Sequence, residues 1–215
     1  MSEKKSNGGS TIIKDALILF AIALVLSAIL GFTNELTKDR IAEQKILQKE
    51  RAYEEVFPGL EGGSIKNTDE LTALVENSTS VLALSSDTNI VEGSTINDIL
   101  EVDDASGNLI GYVVNVTNSK GYGGDIEMAV GMDKDLKITG LSIISNSETA
   151  GLGANCTKET WRAQFNGKTI PITYSKTGAT GANEIDAISS STFTTKAVVW
   201  GVNSALYVIQ MGLRN

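Results

Sequence analysis

This chain contains three successive apolar runs with strand character: LIGYVVNVTN (109–118), DIEMAVGM (125–132) and KITGLSIIS (137–145). Within the second run, every second residue from Ile126 to Met132 is a large apolar residue, which places one face of a strand against a core. The segments Lys120–Gly124 and Asp133–Asp135 between the runs have the composition of hairpin turns. The three runs therefore predict an antiparallel sheet.

Helices are expected to flank this sheet. KAVVWGVNSALYVIQM, at Lys196–Met211, predicts an amphipathic helix that docks on the sheet. Its apolar face is formed by Val198, Val202, Ala205, Leu206 and Ile209. A shorter helix is expected at Asp69–Glu76, in a segment that is otherwise rich in Ser, Thr, Asn and Gly. Together these elements predict an α+β domain.

The N-terminal region predicts a membrane anchor. Ala16–Phe32 contains no charged residue and would span about 26 Å as a helix, close to the ~30 Å thickness of the hydrocarbon core of a bilayer. The alternative is a cleavable signal peptide, but the apolar run exceeds the usual length and no clear A-x-A site follows it. Asn34–Phe57 then predicts a charged helix that ends at Pro58-Gly59. These boundaries divide the chain into a tail (1–15), a transmembrane helix (16–33), a juxtamembrane helix (34–58) and one domain (59–215).

Composition excludes several classes of function. The net charge of −8 disfavours nucleic-acid binding, which needs basic side chains to neutralise phosphates. The absence of histidine excludes Ser-His-Asp catalysis and histidine-bound metals. Cys156 is the single cysteine, so no disulfide or CxxC pair can form within the chain, and we interpret it as an incidental thiol. No catalytic residue and no metal site are predicted.

A cluster of hydroxyl side chains precedes the predicted C-terminal helix. Six of the seven residues from Ser189 to Thr195 are serine or threonine, and only Phe193 interrupts them. Helix capping by Thr194 or Thr195 is one explanation. Another is that the unpaired N–H groups and the dipole at the same helix end bind a phosphate.

The sequence DAISSSTFTTKAV resembles the flavinylation motif of the FMN-binding domain family. This family occurs in the G subunit of the Rnf electron-transport complex and in the C subunit of the sodium-pumping NADH:quinone reductase. Its members typically read Asp-x-x-Ser-Gly-Ala-Thr-x-Thr-Ser, and the first threonine carries FMN through a phosphoester bond. The resemblance implies that Thr192 is the attachment residue. Asp186, Ser189, Thr194 and Thr195 match the motif, whereas Ser190 and Ser191 replace its glycine and alanine.

Further segments resemble the family in the same order. GYGG precedes a strand, ETAGLG resembles the family's Glu-Thr-Pro-Gly-Leu-Gly loop with Ala150 in place of proline, and WRAQFNGK resembles the segment that follows. The resemblance implies that the loop contacts the flavin ring around Leu152. The FMN site is then expected to include Glu148, Thr149, Gly151, Leu152, Gly153, Ser189, Ser190, Ser191, Thr192, Thr194 and Thr195.

The resemblance implies a single-pass membrane protein whose FMN-binding domain (59–215) is extracytoplasmic, an orientation that the charges around the apolar run leave open. It implies an electron carrier in an ion-translocating, Rnf-type ferredoxin:NAD oxidoreductase complex rather than a self-sufficient enzyme. Other membrane and redox subunits and a flavin transferase are its implied partners. Two alternatives remain: the C subunit of the sodium-translocating NADH:quinone reductase, and an anchored surface-binding domain without a cofactor.

Overall fold

The computed structural model describes residues 8–58, 60, 62–85 and 90–213. The elements follow in the order α1 (Gly8–Glu55), β1 (Ser64–Lys66), α2 (Asp69–Ala83), β2 (Ser94–Asp103), β3 (Leu109–Asn118), β4 (Ile126–Asp133), β5 (Ile138–Ser145), α3 (Glu159–Arg162), β6 (Thr173–Ser175), β7 (Glu184–Asp186) and α4 (Thr192–Leu213). Short 3-10 helices at Gly153–Thr157 and Ala163–Phe165 flank α3. The chain has two compact units, one ending at Leu47 and the other beginning at Gln48.

The N-terminal unit contains the apolar part of α1. This helix is long and apolar enough to cross a membrane, with a mean hydropathy of 2.6 in its most apolar window. Its large apolar side chains from Ile12 to Phe32 are exposed, which is the arrangement that a lipid-facing helix requires. The expected juxtamembrane segment is also helical and ends at Glu55, before Pro58. Residues 1–7 of the expected tail lie outside the described residues.

The second unit contains the predicted antiparallel sheet. Its described strands pair in the order β1-β2-β3-β4-β5, and every neighbouring pair is antiparallel. Hairpin turns join β3 to β4 and β4 to β5 at the two predicted positions. A separate parallel pair is formed by β6 and β7. The α+β fold class is confirmed.

The main core lies between one face of the sheet and the helices α2 and α4. Val114, Val116, Met128 and Val130 of the central strands are fully buried there with the apolar face of α4. A Cβ atom added at Gly201 would lie 2.8 Å from Met128 Cε. This glycine, which weakens the helix, therefore lets α4 lie close to the sheet.

Several elements differ from the sequence prediction, and β1, α3, β6 and β7 were not predicted. Strand β2 was not predicted, because a register shift between Ile96 and Asp98 interrupts the alternation of its buried residues. Helix α2 extends beyond Glu76 to Ala83, and its buried face continues through Ser78 and Leu82. The Ser78 hydroxyl donates to the Val75 carbonyl at 2.7 Å, so this polar residue is accommodated on the buried face.

Candidate functional site

The hydroxyl cluster lies where the chain enters α4, which begins at Thr192. Thr192 is half-buried and lines a pocket. The N–H of Thr195 donates to the Ser191 carbonyl at 3.0 Å and closes the first helical turn. Among the described residues, none accepts the N–H groups of Thr192, Phe193 or Thr194. The first helical turn thus presents a hydroxyl and free backbone donors.

Neither Thr194 nor Thr195, the two candidates for a helix cap, caps the helix. Both are fully buried inside the first turn of α4. The Thr195 hydroxyl donates to the Ser191 carbonyl at 2.9 Å and accepts the Ile188 N–H at 3.0 Å, which fixes the loop before the helix. The Thr194 hydroxyl donates to Glu148 Oε2 at 2.7 Å. Both hydroxyls are therefore occupied by internal hydrogen bonds.

Glu148 joins three segments that are distant in sequence. Its Oε2 accepts the Thr194 hydroxyl of α4, and its Oε1 accepts the Gly123 N–H of the β3–β4 turn at 3.1 Å. Glu148 itself lies in the loop that follows β5. A Cβ atom added at Gly121 would lie 2.7 Å from Glu148 Oε1, so the glycines of the GYGG turn permit this approach. The carboxylate thus fixes the turn, the loop and the helix end relative to one another.

The loop at residues 148–153 contains a tight turn. The Leu152 N–H donates to the Thr149 carbonyl at 3.1 Å, and Gly151 at the third position has φ +78°. A positive φ there is typical of a type II turn, which favours proline at the second position, where this chain has Ala150. Gly153 is buried, and an added Cβ would lie 2.5 Å from Thr194 Oγ1 and closer still to Glu148 Oε2.

These segments enclose a pocket of about 510 Å³. It is lined by Tyr122, Glu148, Thr149, Leu152, Gly153, Ser190, Ser191, Thr192, Phe193 and Thr194. The structure therefore brings the two predicted segments together, although Gly151, Ser189 and Thr195 do not line the pocket. Tyr122 and Phe193 were missed as site residues. In the sequence, Tyr122 is a large aromatic residue among glycines, and Phe193 is one among serines and threonines.

A larger cavity, of about 650 Å³, lies elsewhere in the second unit. It is lined near the end of α1 by Glu50, Glu54 and Glu55 together with apolar side chains of β1 and β2. Three carboxylates repel a phosphate, and none of its lining residues is a serine or threonine that could form a phosphoester. The smaller pocket is therefore the candidate site.

Ser190 has a left-handed backbone, with φ +61°, at the position where the resembling motif has glycine. This conformation costs an L-residue roughly 1–2 kcal/mol. Glycine would relieve that cost, although glycine itself loses about 0.5–1 kcal/mol more conformational entropy on folding. We expect Ser190→Gly to raise the free energy of unfolding of the apo protein by about 0.5–1 kcal/mol, measured by chemical denaturation.

Ser189→Gly is the matched control for this change, because Ser189 is also exposed but has no positive φ. It is expected to leave the free energy of unfolding unchanged or lower it. If the two substitutions change the free energy of unfolding equally, the left-handed backbone of Ser190 does not destabilise the protein.

Asp186 and Cys156 lie outside the pocket. Asp186 accepts the Ala179 N–H at 2.5 Å through its side chain and the Trp161 indole N–H at 2.8 Å through its carbonyl. It therefore orders the loop ahead of the hydroxyl cluster.

Cys156 is fully buried, and this burial, together with the nearby Glu148 carboxylate, raises the pKa of its thiol to about 11. The thiol is thus protonated and unreactive at neutral pH.

Two family matches cover separate parts of the chain. Residues 121–207 match the FMN-binding domain, and residues 1–56 match the RnfG N-terminal region. The first match contains every residue that lines the pocket, and the second contains the apolar helix.

The chain is similar in sequence to the G subunits of two ferredoxin:NAD(+) oxidoreductase complexes. The G subunit of the Na(+)-translocating ferredoxin:NAD(+) oxidoreductase complex of Acetobacterium woodii is 32% identical over 214 residues, which cover 97% of this chain and 96% of that protein. The G subunit of the proton-translocating ferredoxin:NAD(+) oxidoreductase complex of Clostridium ljungdahlii is 41% identical over 97 residues, or 45% of this chain and 52% of that protein. The crystal structure of Shewanella oneidensis NqrC is 23% identical with a TM-score of 0.49, covering 59% of this chain and 64% of that one.

Proposed function

This chain belongs to the family of G subunits of ion-translocating oxidoreductase complexes, and from that premise we propose that it carries FMN and transfers electrons within such a ferredoxin:NAD oxidoreductase complex. We further propose that FMN is attached through a phosphoester to Thr192. The alternative assignment to the C subunit of the quinone reductase has less support, because the match to a G subunit covers almost the whole chain.

The observation that carries the proposal is the placement of Thr192. Thr192 lines the pocket in the first turn of α4, where backbone N–H groups lack protein acceptors among the described residues. A phosphate esterified there would accept these N–H groups and lie at the positive end of the helix dipole. The other threonines of the cluster, Thr194 and Thr195, are fully buried and already hydrogen-bonded.

The pocket also suits the rest of the cofactor. Its volume of about 510 Å³ falls within the range of roughly 300–1,000 Å³ for small-molecule sites. Leu152 and Phe193 give its lining exposed apolar surface, and Thr149 and Ser190 give it polar groups. When bound, FMN supplies a ring that accepts and releases electrons, whereas the chain's own residues hold and orient it.

The ester joins Thr192 Oγ1 to the phosphorus of FMN. The donor is a flavin dinucleotide: Thr192 Oγ1 bonds to the flavin-side phosphorus, the pyrophosphate bond breaks, the nucleoside monophosphate leaves and the hydroxyl proton is lost to solvent. The chain thereby gains the mass of FMN less one water. A flavin transferase is the proposed catalyst of this step, because Glu148, the one carboxylate among the residues that line the pocket, already accepts the Thr194 hydroxyl and the Gly123 N–H.

The apolar helix anchors the protein to the membrane, and we propose that the FMN-binding domain lies on the extracytoplasmic side. A dissociating flavin would be lost by dilution there, so a covalent bond retains it. The anchor also keeps the flavin near redox partners in the other subunits, which raises its effective concentration without a tight interface.

Intact-mass measurement of the full chain, coexpressed with an active flavin transferase, tests the proposal. We expect an increase equal to FMN less water, mapped by peptide fragmentation to Thr192, with a flavin absorbance that survives denaturation and gel filtration. A chain that stays unmodified, although the transferase modifies a control protein, would contradict covalent attachment and favour the cofactor-free alternative.

A further inference from the structure

Two large aromatic side chains are exposed beside the pocket. Tyr122 is 75% exposed and Phe193 is 65% exposed, and both line the pocket. They come from the β3–β4 turn and from the first turn of α4, and their ring centroids are 6.5 Å apart. Scattered exposed apolar residues are common, but two aromatic rings brought together at a pocket from distant segments indicate a binding surface.

The carboxylate of Glu148 positions both rings through their neighbours. Its Oε1 accepts the N–H of Gly123, the residue after Tyr122, at 3.1 Å. Its Oε2 accepts the hydroxyl of Thr194, the residue after Phe193, at 2.7 Å. A Cβ atom added at Gly123 would also collide with the backbone of Ser147, so the turn is packed against the loop that carries Glu148. The segments that carry the two rings are thus fixed relative to each other, although both rings are exposed.

The geometry of the pair restricts how a planar ligand can contact it. A ring stacked between two aromatic faces needs about 7 Å between them, twice the optimal contact distance of about 3.5 Å. The centroids are 6.5 Å apart and the ring planes are tilted by 45°. No flat ring fits between them in this arrangement. The pair instead offers a single surface, against which a flat ring can lie.

We propose that Tyr122 and Phe193 form an aromatic wall that contacts the isoalloxazine ring of FMN. This inference rests on the proposed function, because it requires the flavin to be held at Thr192. The residue after Thr192 is Phe193, so the attachment point and one half of the wall lie in the same helical turn. Leu152, which is 44% exposed, adds a third apolar side chain to the pocket.

The fluorescence of the loaded flavin tests this wall. A tyrosine in contact with an excited flavin quenches it by donating an electron, whereas phenylalanine, which is harder to oxidise, does not. The FMN-loaded full chain is compared with Tyr122→Phe, and fluorescence is expressed per flavin after intact mass confirms the adduct. We expect a severalfold increase in Tyr122→Phe. The matched control is Tyr112→Phe, because Tyr112 lies in β3 and outside the pocket.

Phe193→Ala gives a second measurement, since removal of its ring is expected to increase the rate constant for quenching of the bound flavin by iodide. Unchanged fluorescence in Tyr122→Phe together with unchanged iodide quenching in Phe193→Ala would overturn the wall while FMN attachment stands. A wild-type chain that carries no FMN would overturn the proposed function, and the wall with it.

Discussion

Replacing Thr192 by alanine is expected to abolish covalent FMN attachment. The substitution removes the only threonine hydroxyl of the cluster that lines the pocket without an internal hydrogen bond among the described residues. Thr194 and Thr195 cannot take its place, because both are fully buried and hydrogen-bonded. Intact mass after coexpression with the transferase should show the full adduct in the wild type and none in Thr192→Ala.

Two further variants test whether attachment depends on the hydroxyl of residue 192 or on a neighbouring hydroxyl. Thr192→Ser keeps a hydroxyl at the start of α4 and is expected to retain attachment. Ser191→Ala removes the hydroxyl of a neighbouring residue that is only 8% exposed, and it should also leave the adduct in place. An adduct that persists in Thr192→Ala and maps to Ser189 or Ser190 would show that the attachment residue has been misassigned.

Replacing Gly153 by alanine is expected to destabilise the folded domain and distort the pocket. The new methyl group would lie 2.5 Å from Thr194 Oγ1 and closer still to Glu148 Oε2, so it must separate the two groups or move the loop. Overpacking of this kind typically costs about 1–3 kcal/mol. Chemical denaturation of the apo protein should therefore show a free energy of unfolding lower by about 1–3 kcal/mol.

Gly181→Ala is the matched control for this effect. Gly181 is exposed and has no positive φ, and the nearest atom to an added Cβ is a side-chain carbon of Glu184 at 3.3 Å. We expect its free energy of unfolding to stay close to the wild-type value. A Gly153→Ala protein as stable as this control would mean that the Glu148–Thr194 contact does not constrain the loop.

Much of the fold could be predicted from local patterns. The alternating apolar residues of β4 and the apolar face of α4 specify buried surfaces whose partners are easily inferred. Strand β2 could not be predicted in this way. The irregularity between Ile96 and Asp98 breaks its alternation, and only pairing with β3 holds it in the sheet.

The candidate site could likewise be predicted from the sequence only in part. The motif around Thr192 and the loop around Leu152 could be identified from residue order and the resemblance to a family, but each lies in its own segment. Nothing in either segment indicates that Glu148 accepts the Thr194 hydroxyl and the Gly123 N–H. Tyr122 was missed because its nearness to Phe193 depends on how the β3–β4 turn packs against the loop after β5.

The sequence by itself determined the apolar helix, the order of the hairpins, the C-terminal helix and the position of the hydroxyl cluster, because hydrophobic periodicity and turn composition act over short distances. Only the tertiary structure decided which residues of the hydroxyl cluster line the pocket, which threonines are buried and which aromatic rings meet beside it. Those properties depend on contacts between segments far apart in the chain. These contacts form only when the sheet and α4 pack together.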